Sequence, residues 1–242
     1  MSDSANPVFV ALDTPDLSRA LEIANAVKPY VGGLKIGLEF LTAQGPAGIR
    51  KIVETGMPVF ADTKFHDIPN TVAAAAREIA KFGVAIFNIH ASGGEAMMKA
   101  AVEAASQSNP KPKIIGVTVL TSMGDEDLEP IGQNGPLADQ VVRLAKLAKS
   151  SGLDGVVCSP REIALVRKAC GPDFLIVTPG IRPAGSALGD QRRVHTPSDA
   201  LKAGSNILVI GRPITAAPDP AAAARAIADE IAGVETILES TG

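Results

Sequence analysis

Short apolar segments alternate with longer helix-forming ones along the whole chain, and that alternation limits the fold more than any other feature. Val8–Asp13 is an apolar strand ending in an acid, and Leu17–Val27 is an amphipathic helix closed by Lys28-Pro29. Gly33–Gly37 is a second strand, with Lys35 in an apolar setting, and Leu41–Thr55 a second helix. Val59-Phe60-Ala61 begins the third unit, and Pro69 opens its helix, Asn70–Ala80, at the position where a missing N–H costs nothing. The remaining units pair strand Val84–His90 with helix Glu95–Ser106, Ile114–Leu120 with Leu137–Ser150, and Gly155–Ser159 with Pro160–Ala169. Phe174–Thr178 then pairs with the short helix Pro197–Ala203, and Ile207–Ile210 with Asp219–Glu239.

Buried, non-alternating strands in strict βα order imply a parallel sheet covered by helices. Eight such units in 242 residues, roughly 30 residues each, match a closed (β/α)8 TIM barrel. The competitor is an open doubly wound sheet, but no G-x-G-x-x-G follows the first strand. With 46% hydrophobic residues and no linker or low-complexity tract, the expectation is one catalytic domain over residues 1–242.

In such a barrel, function sits at the C-terminal ends of the strands. Those ends carry Asp13, Lys35, Asp62 with Lys64, His90, Thr121, the loop holding Arg182 and Gln191, and Gly211-Arg212. The third is the densest: Asp62, Lys64 and Asp67 alternate in sign within six residues at a strand-to-helix corner. Residues two apart on a strand share a face, so Asp62 and Lys64 are expected to point together. Unit charges ~4 Å apart interact by ~4 kcal/mol at an effective dielectric of ~20, so the group either neutralises itself or is kept charged for chemistry. A surface salt-bridge cluster at a helix start is the plain alternative.

The loops after strands seven and eight of a barrel often bind phosphate. Here the seventh, Pro179–Arg193, is long, glycine-rich and basic, and the eighth opens with Gly211-Arg212-Pro213. Glycine permits close backbone approach, and arginine presents a planar fork to phosphate oxygens. Arg192 and Arg193 read equally well as solvated charges and are left unassigned.

Other features narrow the function. A net charge of −3 gives no nucleic-acid footprint, and 3% aromatic content offers few stacking platforms. Cys158 and Cys170 read as reduced core thiols. The polar start MSDSANP and the lack of a long apolar run point away from a membrane and towards the cytoplasm. A metal site is disfavoured because Lys64 would compete with a cation for the neighbouring carboxylates, and the histidines lack ligand spacing. His66 and His90 are expected to be structural hydrogen-bonding residues.

These segments together resemble bacterial orotidine 5′-phosphate decarboxylases. The resemblance runs through Ala11-Leu12-Asp13, Leu34-Lys35-Ile36-Gly37, Asp62–Thr71, Val119–Ser122, Pro179–Arg182, Gly189-Asp190-Gln191 and Gly211–Thr215. The D-x-K-x-x-D signature alone is shared with sugar-phosphate decarboxylases and synthases of the same superfamily. Lys35 and the PGIRP…GDQ loop make the match more specific. The resemblance implies conversion of orotidine 5′-monophosphate to uridine 5′-monophosphate, without metal or cofactor. It implies Lys64 as proton donor to C6, Asp62 against the substrate carboxylate, and Lys35 bridging Asp62 and the ribose. Asp13 would bind ribose hydroxyl, Thr121 the base, and Arg182, Gln191, Gly211 and Arg212 the phosphate. It further implies a homodimer in which Asp67 and Thr71 reach into the neighbouring subunit's site. Two other readings stand beside it: a metal-dependent sugar-phosphate enzyme on the same barrel, and a non-catalytic nucleotide-binding barrel.

Overall fold

The computed structural model describes residues 6–133, 135–183 and 195–240, with side chains as far as residue 232. Eight parallel strands close into a barrel in sequence order: β1 Val8–Ala11, β2 Gly33–Ile36, β3 Val59–Phe65, β4 Ile86–His90, β5 Lys113–Val117, β6 Gly155–Val157, β7 Leu175–Pro179 and β8 Ile207–Ile210. The seam is β1 against β8, with Phe9 opposite Val209 and Val10 opposite Ile210. Around the barrel run α1 Leu17–Val27, α2 Leu38–Val53, α3 Pro69–Ala80, α4 Glu95–Ala105, α5 Leu137–Ser150, α6 Ile163–Cys170, α7 Pro197–Lys202, α8 Arg212–Thr215 and α9 Pro220–Ser240. No described helix is long and apolar enough to cross a membrane.

The expected TIM barrel is therefore the fold, with three local corrections. Helix α2 begins three residues before Leu41 and is broken at Gly45, whose φ of +54° lies outside the helical region just ahead of Pro46. Residues Thr118–Leu120, expected to finish the fifth strand, lie beyond it at the barrel mouth. The four-residue helix α8 follows β8 where Gly211-Arg212-Pro213 reads as loop, its Pro213 seated in the first turn.

Side-chain alternation sorts the strands into two layers. Val8, Val10, Leu34, Ile36, Phe87, Ile89, Ile176 and Leu208 face outward and join the helices in the main core. Phe9, Ala11, Phe60, Ile86, Ile115, Val177 and Val209 face inward and fill the barrel. Gly33 makes room for this plug: a Cβ there would lie 2.4 Å from the Phe9 ring. One step up each strand from the plug, the same inward phase presents Asp13, Lys35, Asp62, Asn88, Val117 and Gly211 to the mouth. The opposite end is tied by Arg167, which donates to the carbonyls of Gly171, Pro172, Phe174 and Gly204 and to the Asn206 side chain. Cys158 and Cys170 are free and buried, and burial pushes the Cys158 thiol far up.

Candidate active site

Four charged side chains from three neighbouring strands form a chain of alternating sign across the mouth. Lys35 Nζ donates to Asp13 Oδ1 at 2.9 Å and to Asp62 Oδ2 at 3.3 Å. Lys64 Nζ donates to Asp62 Oδ1 at 2.5 Å. Lys35 is buried and Asp13 exposed, so the chain runs from the rim into the barrel. Burial pushes the Asp62 carboxyl upward, but the Lys35 and Lys64 ammoniums, with hydrogen bonds from Lys64 and Asn88, outweigh it. Asp62 is left below its ordinary value and stays ionised into acid, with both carboxylate oxygens engaged by cations.

Asp62 and Lys64 do point to the same place, but not as neighbours on a regular strand. The β3–β4 pairing runs Phe60 to Ile86 and Ala61 to Phe87, then resumes only at Phe65 to Ile89. Residues 62, 63 and 64 therefore lie opposite residue 88 alone. Lys64 closes this bulge with a φ of +51°, the one positive value at a non-glycine among the described residues. For an L side chain that conformation costs about 1–2 kcal/mol, and strain of this kind tends to gather at functional sites.

Two chambers adjoin the charge chain and share Lys35, Asp62, Pro179 and Val209. One, of about 170 Å³, is walled by Val117, Val119, Leu120, Val157 and Val177, with Lys64, Asn88 and Thr121 as its other polar groups. The other, of about 370 Å³, is lined by Asp13, Gly180, Arg182, Gly211 and Arg212. An apolar slot holding few polar groups suits a flat ring, and the wider, arginine-bearing cleft suits a phosphate.

Of the residues expected at the site, Asp13, Lys35, Asp62, Lys64, Thr121, Arg182, Gly211 and Arg212 are thus brought together. Asp67 and Thr71 are not part of this cavity. Both are exposed at the start of α3, beside an Ile68 that is 67% exposed, and Asp67 Oδ1 accepts the N–H of Ile68. Gln191, Arg192 and Arg193 lie outside the described residues. His66 and His90, expected to be hydrogen-bonding residues, instead stack ring on ring, with centroids 5.3 Å apart.

Two residues of the site escaped the sequence reading. Asn88 faces inward on β4 and bonds to Asp62; the signal was a single amide in an otherwise apolar strand. Gly37 follows β2, and a Cβ there would lie 2.7 Å from Lys35 Nζ and 2.9 Å from Asp13 Oδ1. The ion pair occupies the space that a side chain would need.

Comparison with known proteins bears on what this mouth does. Residues 6–227 match the model of the family described as "Orotidine 5′-phosphate decarboxylase / HUMPS family". The chain belongs to this family. Among its relatives, the orotidine 5′-phosphate decarboxylase of Moorella thermoacetica is 58% identical over 93% of this chain and 91% of its own. That of Paramagnetospirillum magneticum is 53% identical over 93% and 98%. The crystal structure of orotidine 5′-phosphate decarboxylase from Lactobacillus acidophilus superposes with a TM-score of 0.83 at 41% identity, covering 93% of this chain and 99% of that one.

Two predictions concern the surroundings of this decarboxylase-family mouth. Gly37→Ala pushes on the ends of the buried Lys35 and of Asp13 while sparing the backbone, so it should cost about 1–3 kcal/mol of stability. It should also lower kcat/KM by about tenfold or more, because small misplacements within an active site are expensive; thermal melts beside steady-state assays check both. His90 is the second case. Burial, His66 and Lys64 lower its pKa, with Asp62 opposing, so the folded protein resists a proton that the unfolded chain accepts below about 6.5. Stability from this source is present above that pH and lost as pH falls through the folded value. His90→Gln should flatten the fall in urea midpoint between about pH 7 and 5; a slope equal to that of the unsubstituted protein would contradict the assignment.

Proposed function

We propose that Lys64, held by Asp62 at the mouth of the barrel, stabilises and then protonates the carbon from which CO2 departs. The chain is a carboxy-lyase of the orotidine 5′-phosphate decarboxylase family, acting in the last step of UMP biosynthesis. Loss of CO2 from C6 of orotidine 5′-monophosphate leaves an electron pair in the plane of the ring, where the π system cannot delocalise it. Stabilisation must then come from fixed charge beside C6, of the kind that dominates many rate enhancements. The observation that carries this reading is the Lys64–Asp62 contact at the boundary between the apolar chamber and the arginine-bearing cleft. The C6–CO2 bond breaks with its electrons left on carbon, CO2 leaves, and a proton from Lys64 Nζ completes the C6–H bond. This sequence calls on no cofactor, and Asp62 keeps Lys64 charged and aimed until the transfer.

The remaining roles are assigned from the family resemblance, and the lining of the two chambers supports them. The pyrimidine occupies the apolar chamber near Thr121, and the ribose lies against Asp13 and Lys35. Arg182, Gly211 and Arg212 hold the phosphate, with Gln191 assigned there by resemblance. Phosphate contacts remote from C6 help order the site, which expresses their binding energy in kcat. Asp67 and Thr71, exposed and outside their own chain's cavity, are assigned to the site of a second subunit in a homodimer. We place the enzyme in the cytoplasm, where the pyrimidine pathway operates.

The direct test is to add metal-stripped protein to orotidine 5′-monophosphate and follow loss of the substrate's ultraviolet absorbance. Turnover abolished by a chelator and restored by a divalent cation would contradict a metal-free step. In the same assay Lys64→Ala should lose more than about 10³-fold in kcat, since it removes a donor and a charge at once, while circular dichroism stays that of the folded barrel. Arg212→Ala should lose about 10- to 100-fold in kcat/KM, as for one charged hydrogen bond, with orotidine 5′-monophosphate but almost nothing with orotidine. Equal losses on both substrates would contradict the phosphate assignment. Mixing inactive Lys64→Ala and Asp67→Ala subunits should restore activity in hybrid dimers that carry one intact site, and no recovery would count against shared sites.

A further inference from the structure

We propose that Asn88 is a positioning residue for this decarboxylation, holding both the backbone of Lys64 and the carboxylate of Asp62 through one side-chain amide. The inference rests on the assignment of Lys64 as the group that meets the developing charge. Asn88 is 1% exposed and stands alone opposite the three-residue bulge of β3. Its Oδ1 accepts the N–H of Lys64 at 2.7 Å, its Nδ2 donates to Asp62 Oδ1 at 2.7 Å, and its backbone carbonyl accepts the Thr63 hydroxyl at 2.7 Å. All three bulge residues are thus bound by one residue on the next strand.

The orientation of the amide follows from chemistry. An ionised carboxylate can only accept and a backbone N–H can only donate, so oxygen must face Lys64 and nitrogen must face Asp62. No other side chain of this size satisfies both at neutral pH. Asn88 therefore does two things together: it holds Lys64 in its left-handed conformation, and it fixes the carboxylate oxygen that Lys64 Nζ also contacts. A buried asparagine kept only for stability would need partners, but not these two.

The test compares Asn88→Ala and Asn88→Asp with Lys64→Ala. Asn88→Ala should lower kcat by about 100-fold, on the scale of a 1 Å misplacement, with KM changed less than about threefold because the phosphate grip is untouched. Asn88→Asp matches the amide in size. When ionised it opposes Asp62, and when protonated it can donate to Asp62 while still accepting from the Lys64 N–H. Its kcat relative to the unsubstituted enzyme should therefore rise as pH falls, whereas Asn88→Ala should show no such recovery. The charged and titratable groups around this spot are Asp13 on the rim after β1, Lys35 on β2, Asp62 and Lys64 on β3, and His66 and His90 beyond β3 and on β4. All are common to the two Asn88 variants and the unsubstituted enzyme, so ratios among these three isolate position 88. Unchanged kcat in Asn88→Ala, or an Asn88→Asp deficit that does not vary with pH, overturns the proposal. Should Asn88→Ala fail to fold, the pH profile of Asn88→Asp decides alone. Full activity in Lys64→Ala would instead remove the assignment beneath the proposal, and would be seen separately.

Discussion

Everything at the mouth of this barrel turns on one carboxylate that has been largely removed from water and kept charged. Asp62 receives two ammoniums and an amide, and those contacts outweigh the burial that would otherwise protonate it. A buried charge without partners would simply neutralise itself. A buried charge with cations on both oxygens stays ionised and holds those cations in place. The rest of the architecture serves this arrangement: the inward plug of Phe9, Phe60 and Ile86 excludes water from below, and Gly37 leaves the space in which Lys35 meets Asp13.

The division of the cavity expresses the same economy. Its apolar half is walled by valines and a leucine, and the charged groups stand at its border rather than throughout. Its wide half collects arginine and glycine from the ends of β7 and β8, far along the chain from Asp62 and Lys64. Lys64 and the two arginines thus stand on different sides of the barrel. This separation suits a reaction in which binding energy from a phosphate must be felt at a carbon several bonds away.

Much of this was legible in the sequence, and the exceptions have physical reasons. The eight-fold βα alternation and the place of Asp13, Lys35 and Asp62 at strand ends follow from the order of apolar segments, and the bounds of α1, α5 and β8 fall where the apolar pattern places them. The bulge at Lys64 was hidden because a one-dimensional alternation cannot show that three residues of one strand will face one residue of the next. Asn88 was passed over for a related reason: a lone amide in an apolar strand carries no meaning until its partners across the ladder are known. Gly37 acts through space that it leaves empty, which no pattern of side chains displays. The break in α2 at Gly45-Pro46 could have been read from those two residues, yet was overridden by the helical pattern on either side.

The seam of the barrel carries one more consequence. The first strand can pair with the last only after nearly the whole chain exists, and Asp13, Gly211 and Arg212 flank that junction. The arginine-bearing half of the pocket therefore does not exist in a piece that stops short of β8, even one that already contains Lys35, Asp62 and Lys64. A nucleotide held there, as proposed, would touch both flanks of that junction at once. It would then act as a clasp on the cylinder, coupling occupancy of the pocket to the integrity of the closure itself.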